Sequence, residues 1–323
     1  MVPATQTTLA IHAFGSRPAM DNETFPSPGD LVEGRYRIVD LVGRGGHGVV
    51  YRARQEALDR VVALKMIEPR DSGGQDVDRL RREVFHASGL THPNTVEVYD
   101  YGTTAEGNLY IAMEYLPGLN LGEFIDEYGP MNVATATDAI LQMLDGLAEA
   151  HHQGIIHRDL KPANIICQRT PGPAQRMQMK VLDFGLSKYI GENDGSVPAI
   201  TVTQEGRVYG TPHYMAPEQA CGGRLRPATD VYTTGLIAHE MLTGVPAFDG
   251  ESRREVMGRQ ISEPPPPLPE HVRGTPLADF IDKCLEKQPG DRFDNAGEAR
   301  KWLASRRRDF EDLQQVIDSA EQR

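Results

Sequence analysis

Residues His157–Asn164 read HRDLKPAN, and this stretch concentrates more reactive side chains than any other in the chain. An amphipathic run over 133–151 precedes it and a glycine breaks that run, so we expect a loop here. Asp159 can accept a proton, Lys161 can neutralise a phosphate, and the amide oxygen of Asn164 can bind Mg²⁺, a cation that prefers oxygen ligands. These groups suit phosphoryl transfer, which is catalysed mainly by positioning and charge neutralisation.

Four more motifs flank this loop. In chain order they are Gly43-x-Gly45-x-x-Gly48-x-Val50, Val62-Ala63-Leu64-Lys65, Asp183-Phe184-Gly185, and Gly210-Thr211-Pro212 followed by Ala216-Pro217-Glu218. In order and spacing the five motifs resemble those of eukaryotic-like (Hanks-type) serine/threonine protein kinases, and the sequence GGHGVVYRA resembles the bacterial type. The resemblance covers about residues 36–303. It implies transfer of the ATP γ-phosphate to serine and threonine hydroxyls of proteins.

The resemblance also implies a fold. We expect an α+β, two-lobed protein-kinase fold, with a small five-stranded β lobe that carries one main helix and a larger, mainly helical lobe. The hydrophobic pattern agrees, because it changes from alternating to helical after Tyr115. We predict a flexible N-terminal leader over 1–33, the small lobe over 34–115, the large lobe over 116–306 and a C-terminal tail over 307–323.

Residue patterns predict the elements of both lobes. The predicted strands are Tyr36–Val42, Val49–Ala53, Arg60–Ile67, Thr95–Tyr101 and Leu109–Glu114, and the small-lobe helix is Val77–Leu90. The predicted large-lobe helices are Leu121–Glu127, Val133–His151, Ala228–Leu242, Arg253–Gln260, Leu277–Glu286 and Ala296–Arg306. A short hairpin follows the catalytic loop, and its tip, TPGPAQRMQ, is predicted to be a surface insertion.

Composition excludes several classes of protein. The 323 residues are 39% hydrophobic and 25% charged, which is typical of a soluble globular chain. The net charge of −12 argues against nucleic-acid binding, which needs a basic face. The sequence has neither a long apolar run nor a signal-peptide pattern, so we predict no membrane span and no secretion. Three scattered cysteines indicate free thiols in a reducing compartment, so we expect a cytoplasmic protein or the cytosolic part of a longer chain.

The glycine motif lies between two predicted strands. A dinucleotide-binding glycine motif would join a strand to a helix, so that fold is disfavoured. Glycines let backbone N–H groups approach phosphates closely. By the resemblance, Gly43, Gly45 and Gly48 fold over the nucleotide, and His47 at the tip faces solvent rather than taking part in catalysis.

Lys65 is a charge inside an apolar strand, and a buried lysine needs a partner. The resemblance implies two partners, the α and β phosphates of ATP and the carboxylate of Glu83 on the following helix. Asp76 and Asp78 compete for the second role, but they fall too early on that helix.

Seven further residues are expected at the nucleotide by the resemblance: Val42, Val50, Ala63, Met113, Glu114, Leu116 and Ile166. Val50, Ala63 and Ile166 would enclose the adenine, and Met113 would close the back of the pocket. Glu114 and Leu116 would contribute main-chain hydrogen bonds to the adenine edge. From pattern alone, each of these side chains is also plausible as ordinary core.

The catalytic and metal roles also follow from the resemblance. Asp159 is expected to accept the proton of the substrate hydroxyl, and Lys161 to steady the γ-phosphate. Asn164 and Asp183 are expected to hold Mg²⁺, with Mn²⁺ as a possible replacement. His157 is expected to pack beside Phe184.

Two other histidines lie just upstream of this loop. His151 and His152 end the preceding helix, and we assign them no chemical role.

Substrate class is indicated by two features. Lys161 and the motif Gly210-Thr211-Pro212 resemble serine/threonine kinases, whereas tyrosine kinases carry other residues at both places. Thr211 would hydrogen-bond near Asp159 and Lys161. Leu186 weakly favours serine over threonine as the phosphorylated residue of the substrate.

The segment between Asp183 and Glu218 is polar and carries candidate regulatory sites. Thr201 and Thr203 are the expected autophosphorylation sites. Arg158 precedes the catalytic aspartate and can bind a phosphate on this segment, which would order it. Self-association for trans-autophosphorylation is a further expectation, and the alternative is that both threonines are only hydrophilic loop residues.

Structural roles are expected for three charged residues. Glu218 and Arg292 resemble the buried ion pair of the family's large lobe. Asp230 resembles the residue that braces the backbone of the catalytic loop.

Two alternatives to an active kinase are considered. A pseudokinase scaffold would bind partners without catalysis, but such proteins usually lack the lysine, the catalytic aspartate or the metal aspartate, all of which are present here. A small-molecule kinase would lack the Gly-Thr-Pro to Ala-Pro-Glu segment that seats a peptide. The expected partners are therefore ATP and protein substrates bearing serine or threonine.

Overall fold

The computed structural model describes residues 25–45, 48–68, 84–85, 87–169, 177–184 and 212–306. Several predictions fall outside these ranges. They concern His47, Glu83, Gly185, Leu186, Thr201, Thr203, Gly210, Thr211, most of the leader, most of the hairpin tip and the C-terminal tail. Of the predicted small-lobe helix Val77–Leu90, residues 84, 85 and 87–90 are described. Residues 84, 85 and 87 are helical, whereas 88 and 89 form a turn and Leu90 is irregular, so the helix ends before the predicted Leu90.

The described chain divides into two compact units. Residues from 25–68 and 98–115 form the first, and residues from 84–97 and 116–306 form the second. The predicted change from an alternating to a helical hydrophobic pattern after Tyr115 coincides with the boundary between the two units. The described residues 84–97, which we predicted in the small lobe, group with the second unit. The predicted lobe boundaries themselves stay a prediction.

The first unit is built on one antiparallel sheet. Its strands are β1 (Leu31–Val32), β2 (Tyr36–Gly45), β3 (Gly48–Gln55), β4 (Arg60–Ile67), β5 (Val98–Thr103) and β6 (Leu109–Glu114), in the order β1-β2-β3-β4-β6-β5. All five predicted strands are present. The additional strand β1 was not predicted, because two residues are too few to show a pattern. Strand β5 begins at Val98 instead of the predicted Thr95. The reason is that Thr95 makes an isolated parallel bridge with Val181.

The two faces of this sheet differ in burial. The apolar core lies on one face, and it includes Tyr51, Leu64, Met66 and Ala112, each at most 2% exposed. Because successive strand residues point to opposite faces, their neighbours in sequence lie on the other face. The second face therefore carries four of the residues that we predicted at the nucleotide, namely Val50, Ala63, Lys65 and Met113.

The second unit is mainly helical. Its helices are α1 (Leu121–Tyr128), α2 (Val133–His152), α3 (Pro217–Ala220), α4 (Pro227–Thr243), α5 (Arg253–Ser262), α6 (Pro276–Cys284) and α7 (Ala296–Ser305). The six predicted large-lobe helices are all present, with ends displaced by at most two residues. Among the helices of the described ranges, none is both long and apolar enough to cross a bilayer.

Helix α4 is buried on every side. Every residue from Ala228 to Leu242 is buried, including polar ones such as Thr234 and His239. A helix without an exposed face belongs to the interior of its domain. Its first turn is therefore held rigidly by packing, and Asp230 lies in that turn.

A small three-stranded sheet positions the catalytic loop. It consists of β7 (Leu119–Asn120), β8 (Ile165–Arg169) and β9 (Met177–Val181), in that order. Strands β8 and β9 form the predicted hairpin, with Ile165 opposite Val181. The catalytic loop leads into β8, and the Asp183 motif follows β9, so this pairing brings the two motifs side by side.

Candidate active site

In the first unit, the glycine motif forms the end of the β2–β3 hairpin. Gly43 pairs with Val50 and Gly45 pairs with Gly48. Gly48 has φ of +119°, and a Cβ atom there would overlap the carbonyl oxygen of Met66. Only glycine fits such a position. This glycine is therefore required by the hairpin itself, before any ligand is considered.

Four of the predicted nucleotide residues share the second face of the sheet. Val50 lies opposite Lys65 on neighbouring strands, and Ala63 lies opposite Met113. Lys65 is only 6% exposed, as predicted for a lysine inside an apolar strand. Its predicted partner Glu83 lies outside the described residues, so that pair stays a prediction.

The other predicted nucleotide residues are placed separately. Val42 is half-buried beside an irregularity in β2, and the half-buried Glu114 ends β6. Leu116 and Ile166 belong to the second unit, where both are half-buried. Their roles toward a nucleotide stay predictions.

In the second unit, the catalytic loop brings three predicted residues together. The ammonium of Lys161 donates to Oδ2 of Asp159 at 2.7 Å. The amide Nδ2 of Asn164 donates to the carbonyl oxygen of Asp159 at 2.8 Å. A single 3₁₀ turn, Pro162–Asn164, sets this spacing. The carboxylate, the ammonium and the amide therefore form one cluster.

Asp183 is placed next to this cluster by the backbone. The N–H of Leu182 donates to the carbonyl oxygen of Asn164 at 2.8 Å, which extends the hairpin by one step beyond Ile165 and Val181. Asp183 itself has φ of +59°. A residue other than glycine pays roughly 1–3 kcal/mol for such a conformation, which persists only where the surroundings impose it.

His157 packs as predicted. Its ring centroid lies 4.9 Å from that of Phe184, and its Nε2 donates to the carbonyl oxygen of Leu182 at 2.7 Å. Since a carbonyl can only accept, the proton must be on Nε2. This histidine therefore ties the catalytic loop to the Asp183 motif and is not arranged for proton transfer.

Asp230 braces the catalytic loop, as predicted. Its carboxylate is 1% exposed and accepts from the backbone N–H of His157 at 2.8 Å and of Arg158 at 3.0 Å. Burial alone would raise the pKa of this carboxyl. The hydrogen bond from His151, the electrostatic interactions with the His151 and His157 imidazoles, and the hydrogen bond from the Arg158 N–H outweigh burial, so the pKa of Asp230 is lowered.

His151 has a structural role that sequence reasoning missed. Its Nε2 lies 2.8 Å from Oδ2 of Asp230, and its Nδ1 accepts from the backbone N–H of Ala296 at 3.1 Å. Because Nδ1 accepts a hydrogen bond, the proton of the neutral imidazole must be on Nε2, which donates a hydrogen bond to Asp230. His151 thus connects α2, α4 and the first turn of α7. No local pattern distinguishes it from its exposed neighbour His152, since both end the same helix.

Arg158 is held in a strained conformation. It has φ of +69°, and its carbonyl oxygen accepts from Nε2 of Gln219 at 2.7 Å. Within the described residues, its buried Nε has no hydrogen-bond partner. A buried guanidinium N–H without a partner is costly, and a phosphate oxygen is the kind of acceptor that would satisfy it.

The predicted ion pair of Glu218 and Arg292 is present. The two side chains form two parallel bonds of 2.9 Å, and both are at least nine-tenths buried. Thr229 donates to the same carboxylate at 2.8 Å. This pair joins α3 and α4 to the loop before α7.

The donor set near Asp159 fits a divalent cation. Asn164 uses its amide nitrogen toward Asp159, so its amide oxygen is the atom left to bind a metal. Asp183 adds a carboxylate one residue beyond the paired backbone. Mg²⁺ is usually held by one or two such protein oxygens together with substrate phosphates. In the part of the chain that is described, no group of three His, Cys, Asp or Glu side chains could hold a metal alone.

Comparison with known proteins decides the family. The model of the protein kinase domain matches residues 36–303. This chain belongs to the protein kinase family. Membership implies the use of ATP and a divalent metal ion and action on protein substrates. The predicted fold and family are thereby confirmed.

Curated relatives of this kinase domain are bacterial serine/threonine-protein kinases. It is 38% identical to Pkn3 of Myxococcus xanthus over 269 residues, which is 82% of this chain and 48% of Pkn3. It is 35% identical to PknA of Mycobacterium tuberculosis, covering 84% of this chain and 61% of PknA. It is 34% identical to PrkC of Bacillus subtilis, covering 83% of this chain and 40% of PrkC. The chain therefore spans less than two thirds of the length of these relatives.

A solved structure also resembles this kinase domain. The crystal structure of a mutant PknI kinase domain from Mycobacterium tuberculosis matches with a TM-score of 0.65 and 23% sequence identity. The match covers 87% of this chain and 99% of that one. At this identity the likeness concerns the fold alone.

Proposed function

We propose that this protein is an active serine/threonine protein kinase, transferring the γ-phosphoryl group of ATP to hydroxyls of other proteins. One observation carries the proposal: the carboxylate of Asp159 is held beside Lys161 and Asn164 in a loop braced from a buried helix. Phosphoryl transfer depends on positioning and electrostatics. A scaffold without catalysis would have no need of this cluster.

Asp159 is proposed as the proton acceptor. The substrate hydroxyl oxygen attacks the γ-phosphorus, its proton passes to a carboxylate oxygen of Asp159, and the bond from phosphorus to the β–γ bridging oxygen breaks to release ADP. Lys161, which lies 2.7 Å from Asp159, compensates negative charge on the γ-phosphate. The pair would thus orient both the nucleophile and the group it attacks.

Asn164 and Asp183 are proposed as the ligands of Mg²⁺, with Mn²⁺ as a replacement. A bound divalent ion would neutralise charge on the phosphate oxygens. The contribution of the chain is geometric, because the hydrogen bond between Leu182 and Asn164 fixes the spacing of the two ligand-bearing residues.

ATP is proposed to contact residues on the second face of the sheet. Val50, Ala63 and Met113 supply apolar surface for the base, and Lys65, on the same face, supplies charge for the phosphates. The remaining proposed contacts are Val42, Gly43, Gly45, Gly48, Glu114, Leu116 and Ile166, with Glu83 as the partner of Lys65.

Regulation is proposed to act through Arg158. Its strained backbone is held by Asp230 and Gln219 before any phosphate binds, and its buried Nε has no hydrogen-bond partner among the described residues. Phosphate on Thr201 or Thr203, added by a second copy of the chain, would supply the missing acceptor. The boundaries at residues 33, 115 and 306 and a cytosolic location for this part of the protein are also proposed.

The decisive experiment measures phosphate transfer. The protein is incubated with γ-labelled ATP, Mg²⁺ and a generic basic protein substrate, and the labelled amino acids are identified. We expect phosphoserine and phosphothreonine, and a rate on the order of a thousandfold lower for Asp159→Ala. Asp145→Asn is the matched control, since the only ion pair of this half-exposed carboxylate within the described residues is with Arg300 of the same unit. It should keep the activity.

The outcomes separate the classes of protein. Absence of label with both the wild type and Asp159→Ala, although ATP binds, would favour the scaffold. Labelled phosphotyrosine alone would contradict the substrate class. Mass spectrometry of the incubated wild type tests the regulatory proposal. Phosphate at neither Thr201 nor Thr203 would refute it without affecting the catalytic one.

A further inference from the structure

A pocket of about 470 Å³ lies in the second unit and takes no part in the proposed reaction. Its lining includes Ile156, Leu225 and Pro227 as apolar surface and Arg224, Arg226 and Asp294 as charged groups. Its volume falls within the range of about 300–1,000 Å³ that is usual for small-molecule sites, and its lining combines apolar and polar groups. All these residues belong to one compact unit, so the pocket depends only on that unit's own fold.

The charge of the lining is opposite to that of the chain. The chain carries −12 overall, whereas two arginines against one aspartate leave the pocket one net positive charge. Neither Arg224 nor Arg226 makes an ion pair with a carboxylate in the described residues. Arg292, by contrast, donates to the carboxylate of Glu218 and to the backbone carbonyl oxygens of Ala228, Glu286 and Lys287.

The apolar lining residues indicate a second property of the ligand, an apolar body. Ile156, Leu225 and Pro227 are half-buried and line the pocket, so it has apolar as well as charged surface. A ligand with an apolar body would cover this surface, and each Å² removed from water contributes about 25 cal/mol. An inorganic ion would leave it uncovered.

We propose that this pocket binds a small organic anion, with its phosphate or carboxylate group at Arg224 and Arg226 and its apolar body against Ile156 and Leu225. Guanidinium groups suit both anions because their N–H groups form a fork that matches two oxygens. The single net charge favours a ligand with one or two negative charges over a polyanion. The inference goes beyond the proposed kinase activity and does not depend on it.

The position of the pocket supplies a direct readout. Ile156 directly precedes His157, and Ala228, another lining residue, lies two positions before Asp230. Ile156, Ala228 and Gly290 line the pocket, so the NMR resonances of their backbone amides should report occupancy.

The test uses the full chain, labelled with ¹⁵N and saturated with Mg²⁺ and a non-hydrolysable ATP analogue, which keeps other phosphates out of the nucleotide site. Phenyl phosphate, benzoate, inorganic phosphate and phenol are titrated separately to about 10 mM. We expect saturable shifts at Ile156, Ala228 and Gly290 with phenyl phosphate, benzoate or both. Inorganic phosphate and phenol should bind at least about tenfold more weakly. The stronger of the two organic anions identifies the head group.

Three variants test the assignment. Arg224→Gln combined with Arg226→Gln should weaken binding roughly tenfold or more. Arg254→Gln is the matched control: Arg254 is also exposed, lies on α5 and is not one of the residues that line the pocket. Gly290→Glu is the third variant. A Cβ at Gly290 meets no atom within 4 Å, so the fold should tolerate it, and the added carboxylate should repel the anion.

Three outcomes would overturn the proposal. They are shifts that do not saturate, shifts that fall at other residues, and equal affinities of the wild type, the double arginine variant and Gly290→Glu. Kinase activity of the variants is not a criterion, so failure here leaves the proposed function intact.

Discussion

The two units position their functional side chains by different means. In the first unit, Val50, Ala63, Lys65 and Met113 share a face because they occupy matching positions on three antiparallel strands. In the second unit, Asp159, Lys161 and Asn164 lie in a loop whose backbone is held by the buried carboxylate of Asp230. Strand register is a repeating pattern, whereas the brace depends on one residue more than 70 positions away in the sequence.

The difference affects tolerance to mutation. A face of a sheet is maintained by many backbone hydrogen bonds, so a single side-chain change leaves the register in place. The loop depends on a few polar contacts that are buried and costly to leave unsatisfied. It also contains Arg158, whose backbone is strained, and it lies next to a second strained residue, Asp183, which follows the β8–β9 hairpin. We therefore expect the largest effects in the second unit.

The largest effect is expected from Asp230→Asn. The substitution removes a buried charge that accepts from the N–H groups of His157 and Arg158 and from His151, so the free energy of unfolding should fall by roughly 3–5 kcal/mol. Catalytic activity should fall as well, because the loop loses its brace. Urea denaturation and a phosphate-transfer assay measure the two effects.

Asp145→Asn again serves as the control for this prediction. Its ion pair with Arg300 is half-exposed, so the loss should stay below about 1 kcal/mol. Equal losses for the two variants would contradict the idea that burial makes the brace essential.

The next effect concerns Gly48→Ala in the first unit. The new Cβ would overlap the carbonyl oxygen of Met66 at a φ of +119°, so β3 and β4 must move apart locally. We expect at least the roughly 1–3 kcal/mol of backbone strain, together with weaker ATP binding, measured by calorimetry. Gly107→Ala is the matched control, because its φ is also positive but no atom lies within 4 Å of the added Cβ. If both variants lose the same stability and neither loses affinity, the contact with Met66 is unimportant.

Adjacent residues of β3 give a test of the two faces. Val49 is 4% exposed and packs in the core, whereas Val50 lies on the other face opposite Lys65. Val49→Ala should cost roughly 2 kcal/mol of stability and leave the KM for ATP unchanged. Val50→Ala should cost less stability but raise that KM several-fold. The reverse pattern would show that the register assigns the wrong face to the nucleotide.

The smallest effect is a pH dependence at Glu240 on α4. Burial raises the pKa of this carboxyl, with a smaller opposing effect of the hydrogen bond from Tyr214. The stability from such a group is present below the usual carboxyl pKa and is lost as pH rises through the raised folded value. Glu240→Gln should therefore be more stable than the wild type at pH 8, and this advantage should shrink at pH 4.

Urea denaturation at both pH values measures this difference. The exposed Glu270→Gln is the control and should show no such trend. A constant difference between wild type and Glu240→Gln at all pH values would contradict titration of this residue as its cause.

Much of this architecture could be predicted from residue patterns. The alternation in β2 to β6 and the helical periodicity of α1, α2 and α4 to α7 are local properties, so their bounds were close to those observed. The motifs fixed the family because their residue types and spacing are jointly specific. The short strands β1 and β7 were not predicted, since two residues carry no pattern, and β5 was begun too early at Thr95.

His151 shows what pattern reasoning could not reach. Its sequence neighbour His152 is the same residue type at the same helix end, but only His151 points toward Asp230 and the N–H of Ala296. Which of two adjacent histidines is buried depends on the rotation of α2 against α4 and α7. That rotation is set by packing over the whole unit.

The sequence by itself determined the family, the order of the elements and the residue types available for chemistry. Those properties follow from covalent spacing and local periodicity. The tertiary structure alone decided that Asp230 and His151 hold the catalytic loop, and that Arg158 and Asp183 adopt left-handed backbone conformations. It also placed Arg224 and Arg226 at a shared pocket with Ile156. The physical reason is that these arrangements join residues far apart in the chain, whose meeting depends on how buried surfaces pack.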